Sequence, residues 1–335
     1  MGSSSYDYSY HTDRLDTCRR TGADYFKYSA DIASGAVDSK VHDLLNPSKV
    51  NKVGKNIRES FDSDAHPNSL PIAVIFDVTG SMSSVPRQFV GKLNNLMASL
   101  TKKGYVADPH ILFGAYGDAT CDSIPLQIGQ FEAGSENTDI LAHIHLEGGG
   151  GAHIYESAEL AMYFMANHTD LDSVNKRGKK GYLFFAGDEL PREQVDKKQV
   201  KTLIGDTLQE NLETNEVFEA LCDKFEVFWI IPAETSHTND SNVIDPLKKM
   251  FGQRLLRLKN PEDIVELIVS TIGLEEGYDI NDIKKDLADV GADKDAINRA
   301  SMALSAYKPS SAVVKTATVK GKLEKSKKAS SVELV

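Results

Sequence analysis

The sequence has little cysteine, no long apolar run and no excess of positive charge. Its three cysteines, Cys18, Cys121 and Cys222, are far apart and match neither a zinc-binding spacing nor a disulfide framework. We therefore expect a reducing, cytoplasmic compartment. No stretch approaches the roughly 18 consecutive apolar residues that a membrane span needs, so no membrane partner is expected.

The negative charge of the chain disfavours nucleic-acid binding. The 335 residues contain 38 basic and 49 acidic side chains, a net charge of −11, which repels a phosphate backbone. Residues 308–335 are the exception, because seven lysines and two glutamates give them +5 and leave −16 on the rest. This Ser-, Lys- and Ala-rich segment predicts a disordered tail. A weak contact with nucleic acid or an acidic partner stays open for the tail alone.

The middle of the chain alternates strand-like and helix-like segments. Continuous apolar runs such as 72–76 and 182–185 are typical of strands buried on both faces. Helical spacing of apolar residues lies between such runs, for example from Phe89 to Leu100, after Pro86 and before Gly104. The repeated alternation predicts an α/β fold with a doubly wound, mostly parallel sheet and helices on both faces.

A short edge strand is predicted within residues 124–131 of the sheet domain. The whole sequence divides into four predicted regions. The regions are a polar, irregular extension that wraps the sheet domain (1–70), the sheet domain (71–275), a helical appendage (276–307) and the tail (308–335).

Carboxylates follow three of the predicted strands. Asp77, Asp118 and Asp188 each stand where an apolar strand runs into a loop. Ligands bind outside the carboxyl ends of the strands in an open parallel sheet, so we expect these acids to meet at one edge. A glycine-rich loop at 148–151 lies between them and leads to Glu156 at the start of a helix. Its glycines would let the backbone pass close to a bound ion.

The most specific pattern is Asp77-x-Thr79-x-Ser81, directly after the first strand. Alternate residues in a tight loop can direct one carboxylate and two hydroxyls at a single point. Hard divalent cations prefer oxygen ligands, and Mg²⁺ takes about six of them. The pattern therefore predicts a cation site. Such a site can serve to bind a partner and does not require that the protein catalyse a reaction. A capped strand-to-helix turn would use the same residue types and is the structural alternative.

The motif DVTGSMS at 77–83, with the glycine-rich loop and Asp188, resembles the von Willebrand factor A domain and its metal-ion-dependent adhesion site. The resemblance covers residues 70–275. It implies that Asp77, Thr79 and Ser81 surround Mg²⁺, or Mn²⁺ or Ca²⁺, with Asp77 acting through water and Asp188 in the outer ring. A threonine from the second loop usually completes the set in that family. Residues 148–156 contain no threonine, and Glu156 is the expected replacement.

The resemblance also implies a function and a kind of partner. Stretches such as Gly117-Asp118-Ala119 and residues 187–190 resemble uncharacterised bacterial and phage-encoded A-domain proteins. Bacterial A-type domains often act beside AAA+ ATPases, so the resemblance implies a protein-binding module with such a partner. A direct Glu156 ligand would add negative charge and weaken the attraction of the ion for an acidic side chain.

Two other functions stay open. One is a Mg²⁺-dependent phosphohydrolase that uses Asp77, although the phosphotransferase motif of this topology has a second aspartate where this chain has Thr79. The other is a phage or filament assembly protein with a vestigial metal face. Ser81 lacks the nucleophile-elbow pattern of a hydrolase. The sequence therefore favours a binding module over an enzyme.

Overall fold

The computed structural model describes residues 5–50, 54, 56–149, 154–233 and 235–310. These residues form one six-stranded sheet, three two-stranded pairs and helices on both faces of the sheet. The strands are β1 Arg58–Ser60, β2 Ser69–Asp77, β3 Asp108–Tyr116, β4 Leu126–Ile128, β5 Tyr155–Glu156, β6 Thr169–Leu171, β7 Gly181–Ala186, β8 Leu190–Pro191, β9 Gln194–Val195, β10 Leu212–Glu213, β11 Phe225–Pro232 and β12 Leu255–Leu258. The helices are α1 Tyr8–Thr21, α2 Lys27–Ala33, α3 Ser84–Val90, α4 Leu93–Thr101, α5 Glu136–Ala142, α6 Ala158–Asn167, α7 Asp172–Arg177, α8 Lys197–Leu203, α9 Thr214–Lys224, α10 Ser241–Phe251, α11 Ile264–Glu275, α12 Ile280–Asp289 and α13 Lys294–Ala303. Short 3₁₀ helices cover Gly80–Met82, Gly252–Arg254 and Pro261–Asp263.

The six-stranded sheet has the order β12-β11-β7-β2-β3-β4, and every neighbouring pair is parallel except β3 with β4. The predicted doubly wound, mostly parallel α/β fold is therefore confirmed. The chain adds β3 on one side of β2 and β7 on the other, so the strand order reverses between β2 and β7. Ligand sites of such sheets lie at this switch point, outside the carboxyl ends of the strands.

The central strands separate two hydrophobic cores. Along β2, Ile72, Val74 and Phe76 lie in one core, while Ala73 and Ile75 lie in the other. Helices α3, α4 and α11 contribute to the first core, and α6, α9 and α10 contribute to the second. Because both faces are buried, the strand has the continuous apolar run from which it was predicted.

The helical stretch expected after Pro86 is two helices rather than one. Helix α3 ends at Val90, and α4 begins at Leu93. Gly91 is a poor helix former, and Lys92 has a φ of −119°, outside the helical range. The predicted edge strand within 124–131 is observed as the shorter β4, which pairs antiparallel with β3.

Helices also occur in the N-terminal segment that was expected to be irregular. Helix α1 begins after Asp7, whose side chain caps it, and ends at Gly22, which has a φ of 71°. The buried residue of this polar helix is His11. Tyr8, Leu15 and Cys18 also pack against the core on this face, but only Leu15 is a strongly apolar residue, so the sequence shows a weak hydrophobic period.

Two predicted features lie partly outside the described residues. The residues outside are 311–335, which are most of the predicted tail, and 150–153, which include the second half of the glycine-rich loop. The four predicted regions therefore stay a prediction. None of the helices in the described ranges has the length and apolar character to cross a membrane.

Candidate functional site

Asp77 is the last residue of β2, and its carboxyl is completely buried. Its Oδ1 accepts hydrogen bonds from the backbone N–H of Thr79 at 2.9 Å and from the Thr79 hydroxyl at 2.6 Å. This arrangement closes the tight turn after the strand. Its Oδ2 is also buried and has no hydrogen-bond partner among the described residues. Burial raises the pKa of Asp77 to about 8 despite the Thr79 hydrogen bonds, and Asp188 contributes to the rise.

Three more buried carboxyls join Asp77 at this edge of the sheet. Asp188 and Glu189 follow β7, which pairs directly with β2, and Glu156 ends β5. Asp188 and Glu189 interact electrostatically with Asp77, and Glu156 interacts with both Asp77 and Glu189. We call Asp77, Glu156, Asp188 and Glu189 the carboxylate cluster.

The pKa of Glu156, like that of Asp77, is strongly raised. Burial, the charge of Asp77 and a hydrogen bond with Glu189 all raise the pKa of Glu156 far above its usual value. Glu156 Oε2, like Asp77 Oδ2, is buried and has no hydrogen-bond partner in the described ranges.

Short strands and loop contacts position Glu156. Strands β5 and β8 pair in parallel, with Glu156 opposite Pro191. The neighbouring Ser157 donates its N–H to the carbonyl of Gly117 at 3.0 Å, and its hydroxyl accepts the N–H of Ala119 at 2.9 Å. The loops that follow β3 and β7 are thereby joined to the segment that carries Glu156.

Tyr116 at the end of β3 packs against the carboxylate cluster. Burial and the nearby charges, Asp77 first among them, raise the pKa of Tyr116 well above its usual value. A Cβ atom on Gly187 would lie 2.1 Å from the Tyr116 hydroxyl oxygen. The strand end can therefore approach Tyr116 only with glycine at position 187. The indole Nε1 of Trp229 donates to the Gly187 carbonyl at 2.9 Å and fixes this strand end.

Asp118 lies at the margin of the carboxylate cluster, in an ion pair. Its Oδ1 accepts from Arg192 Nη2 at 2.7 Å and from the backbone and hydroxyl of Thr120. Although burial acts to raise the pKa of Asp118, these hydrogen bonds bring it below its usual value. The backbone N–H of Arg192 donates to Glu159 Oε2 at 3.0 Å. Asp118 therefore fixes the loop after β3 through Arg192.

The glycine-rich loop lies directly against the turn after β2. Gly80 donates its N–H to the carbonyl of Gly149 at 2.5 Å, and Gly148 donates to the carbonyl of Val78 at 3.2 Å. A Cβ on Gly80 would approach the Gly149 oxygen to 3.1 Å, so this contact favours glycine. The side chain of Ser81, the third residue of the motif, lies outside the described part of the structure.

The chemistry of this edge fits a cation that is bound by mixed oxygen ligands. Within the described ranges, no three His, Cys, Asp or Glu side chains are arranged to hold a metal ion by themselves. A cation would therefore also need hydroxyl and water ligands, as the Asp-x-Thr-x-Ser pattern implies. The oxygens Asp77 Oδ2 and Glu156 Oε2 fit this requirement, because buried carboxylates are costly without a compensating charge.

The structure places Asp77, Thr79, Glu156 and Asp188 together and Asp118 at their margin. Their roles as metal ligands stay a prediction. Sequence reasoning missed three residues of the site, which are Tyr116, Glu189 and Arg192. Glu189 directly follows Asp188 on the same strand end, which was a usable signal. Tyr116 ends an apolar strand and has the pattern of a core residue, and nothing in the sequence distinguishes Arg192 from other surface arginines.

The strand order and the carboxylate cluster define a doubly wound α/β domain with an acid-lined site at its switch point.

No protein-family model matches the sequence, and no curated protein sequence matches it. Among solved structures, the chain is similar to the pilus adhesin SpaC from Lactobacillus rhamnosus GG, with 10% identity and a TM-score of 0.44 over 69% of this chain and 31% of that one. A von Willebrand factor type A protein from Catenulispora acidiphila has 13% identity and a TM-score of 0.34 over 63% of this chain and 43% of that one. Proximal thread matrix protein 1 from the mussel byssus has 10% identity and a TM-score of 0.38 over 61% and 47%.

The chain spans less than half the length of each of these three proteins. Similarities at this level do not establish a family, and the fold class rests on the strand order itself.

Proposed function

We propose that the chain is a protein-binding module whose carboxylate cluster holds a divalent cation, Mg²⁺ first, with Mn²⁺ or Ca²⁺ as the alternatives. The observation that carries this proposal is the pair of buried oxygens, Asp77 Oδ2 and Glu156 Oε2, that have no hydrogen-bond partner in the described residues. They lie among four buried carboxyls at the switch point, where a doubly wound sheet binds its ligands.

The proposed ligands come from three separate segments. Asp77 offers Oδ2 while its Oδ1 holds the hydroxyl of Thr79 in place. Thr79 and Ser81 contribute hydroxyl oxygens, and Glu156 and Asp188 contribute carboxylates from the neighbouring loops. Asp118 is proposed to lie outside the ligands themselves, where its ion pair with Arg192 holds the neighbouring loops in place. A bound dication would compensate the buried negative charge and offer a Lewis-acid position to an oxygen ligand of the partner.

The surrounding residues shield the proposed ligands from solvent and hold them in their orientation. The carboxyls of Asp77 and Asp188 are completely buried, so solvent competes weakly for them. The backbone N–H of His237 donates to Asp188 Oδ2 at 3.1 Å and orients that carboxyl. The contacts of Gly80 and Gly149 hold the glycine-rich loop beside the turn that carries Thr79.

A reducing cytoplasm is the compartment that we propose for this module. Cys18, Cys121 and Cys222 are all free thiols. Free thiols persist where disulfides are kept reduced. A bacterial or phage source and an AAA+ ATPase partner belong to the same proposal, and they rest on the sequence resemblance alone.

Calorimetric titration of the full-length chain with Mg²⁺ tests the proposal. We expect saturable binding by the wild type and at least about a tenfold loss of affinity in Asp77→Asn, which removes one charge from the cluster. Glu159→Gln is a matched control, because Glu159 is an equally buried acid whose Oε2 accepts the Arg192 N–H outside the cluster. Equal affinities in the wild type and in Asp77→Asn would refute the metal assignment.

A capture experiment then tests the partner. The immobilised full-length chain, incubated with host lysate, should retain a protein partner with Mg²⁺ present and lose it with a chelator or in Asp77→Asn. Metal-dependent hydrolysis of phosphate esters that disappears in Asp77→Asn would instead support the enzyme alternative.

A further inference from the structure

Tyr116 has a hydroxyl group that the packing of the core does not need. The side chain is 1% exposed, and its oxygen has no hydrogen-bond partner among the described residues. The ring itself packs well, with centroid distances of 6.3 Å to Phe185 and 6.4 Å to Trp229. Burying a hydroxyl without a partner destabilises the folded state, so phenylalanine would suit this position better if packing were its only role.

The strand register directs this hydroxyl to the carboxylate cluster. Tyr116 on β3 pairs with Asp77 on β2, so the two side chains leave the sheet on the same face. A Cβ atom on Gly187 would overlap the Tyr116 hydroxyl and would also lie 3.4 Å from the Cβ of Asp77. The tyrosine therefore reaches past the end of β2 to the end of β7. All four members of the carboxylate cluster act electrostatically on its hydroxyl.

The hydroxyl and two carboxylate oxygens around it share one property. Asp77 Oδ2 and Glu156 Oε2 are also buried, and in the described part of the chain they too lack a hydrogen-bond partner. A hydrated cation would use both kinds of group, because it binds carboxylate oxygens directly while the waters that it keeps need hydrogen-bond acceptors. Mg²⁺ usually keeps several waters and takes few carboxylates, whereas Ca²⁺ accepts more protein oxygens in a flexible geometry.

We propose that Tyr116 raises the preference of the site for Mg²⁺ over Ca²⁺ by holding a water molecule of the hydrated cation. This inference rests on the proposed function, because it concerns the site with its cation bound. The phenolic oxygen accepts a hydrogen bond from that water, and the phenolic O–H can donate to a carboxylate oxygen of the cluster. Tyr116 is thus a positioning residue that does not touch the cation. Ca²⁺ depends less on it, because a protein oxygen can replace the water.

Tyr116→Phe removes the hydroxyl, keeps the ring and tests the inference. In calorimetric titrations of the full-length chain, we expect this variant to lose at least about tenfold in Mg²⁺ affinity, as is typical for groups that orient a metal's ligands. Its Ca²⁺ affinity should be nearly unchanged. Tyr182→Phe is the matched control, because Tyr182 is also buried but its hydroxyl donates to Glu276 Oε1 at 2.7 Å, at the other end of the sheet. It should leave both affinities unchanged.

Urea denaturation in chelator separates this role from a structural one. Without the cation, Tyr116→Phe should unfold at the same urea concentration as the wild type or a higher one, because the lost hydroxyl had no partner. Tyr182→Phe should unfold at a lower concentration, because it loses a hydrogen bond.

The possible failures are distinct. An unchanged Mg²⁺ affinity in Tyr116→Phe, an equal loss for Mg²⁺ and Ca²⁺, or a lower unfolding midpoint in chelator would each overturn the inference. Saturable Mg²⁺ binding by the wild type would still support the proposed function in those cases. Absence of Mg²⁺ binding by the wild type would overturn both.

Discussion

At the scale of single residues, burial sets the chemistry of the acids at this edge. Burial raises the pKa of both Asp77 and Glu159 to about 8. The sequence predicted that Asp77 and Asp188 would stand at strand ends, because each follows an apolar run. It could not predict how deeply they are buried, because burial depends on segments distant in sequence, such as the loop that carries Glu156.

The first prediction concerns pH. An acid whose folded pKa is raised stays protonated in the folded state while the unfolded chain ionises near pH 4. The unfolded state then binds fewer protons, so the free energy of unfolding falls as pH rises from about 4 to about 8 and levels off above that. Glu159→Gln removes one such group, so the difference between pH 5 and pH 8 should shrink by at least about 1.4 kcal/mol, the value of one pKa unit.

Urea denaturation of the wild type and of Glu159→Gln, in chelator at both pH values, measures this difference. The Gln side chain can still accept the Arg192 N–H, so the local hydrogen bond is retained. An identical pH dependence in the two proteins would show that Glu159 is ionised in the folded state.

At the scale of elements, the N-terminal segment braces the loop that lies against the site. Ser29 on α2 accepts the N–H of Leu146 at 2.7 Å and donates to the carbonyl of Ile144 at 3.3 Å. Gln127 on β4 holds the other side of this loop, exchanging hydrogen bonds with the backbone of His145. The loop continues into the glycines that contact the turn after β2.

The sequence predicted the buried strands well because their apolar runs are continuous. It predicted neither α1 nor the bracing contacts of α2. The cause is physical, since α1 packs on the core mainly through amphipathic side chains such as Tyr8 and His11, which give only a weak hydrophobic period.

The second prediction follows from Ser29. Ser29→Ala removes a hydrogen bond worth about 1 kcal/mol and loosens the loop, so Mg²⁺ affinity should fall by about fivefold. Ser34→Ala is the matched control, because Ser34 directly follows the same helix and its hydroxyl donates locally to the Asp31 carbonyl. Calorimetry measures the affinity in both variants. A loss of stability in Ser29→Ala without any change in Mg²⁺ affinity would limit Ser29 to a structural role.

At the scale of the whole molecule, the C-terminal helices share a core with the sheet. Ile283 and Leu287 of α12 and Ile297 of α13 lie in the same hydrophobic core as Val74 and Phe76 of β2. The alternation of segments was enough to predict the class of fold. The order of the strands and the place of α12 and α13 depend on long-range packing, on which the local pattern gives no information.

The third prediction tests whether this shared core unfolds as one unit. Arg299 on α13 donates from Nε and Nη2 to the completely buried carboxyl of Asp263, at 2.5 Å and 2.8 Å. Arg299→Gln leaves that carboxylate without its cation, which costs about 3 kcal/mol. Because the C-terminal helices share the core of the sheet, the loss should lower the midpoint of a single thermal transition rather than release these helices first.

Lys294→Gln is the control. It changes an exposed charge in the first turn of the same helix and should leave the midpoint nearly unchanged. Differential scanning calorimetry distinguishes the outcomes, since a second, earlier transition in Arg299→Gln would mean that α12 and α13 fold independently of the sheet.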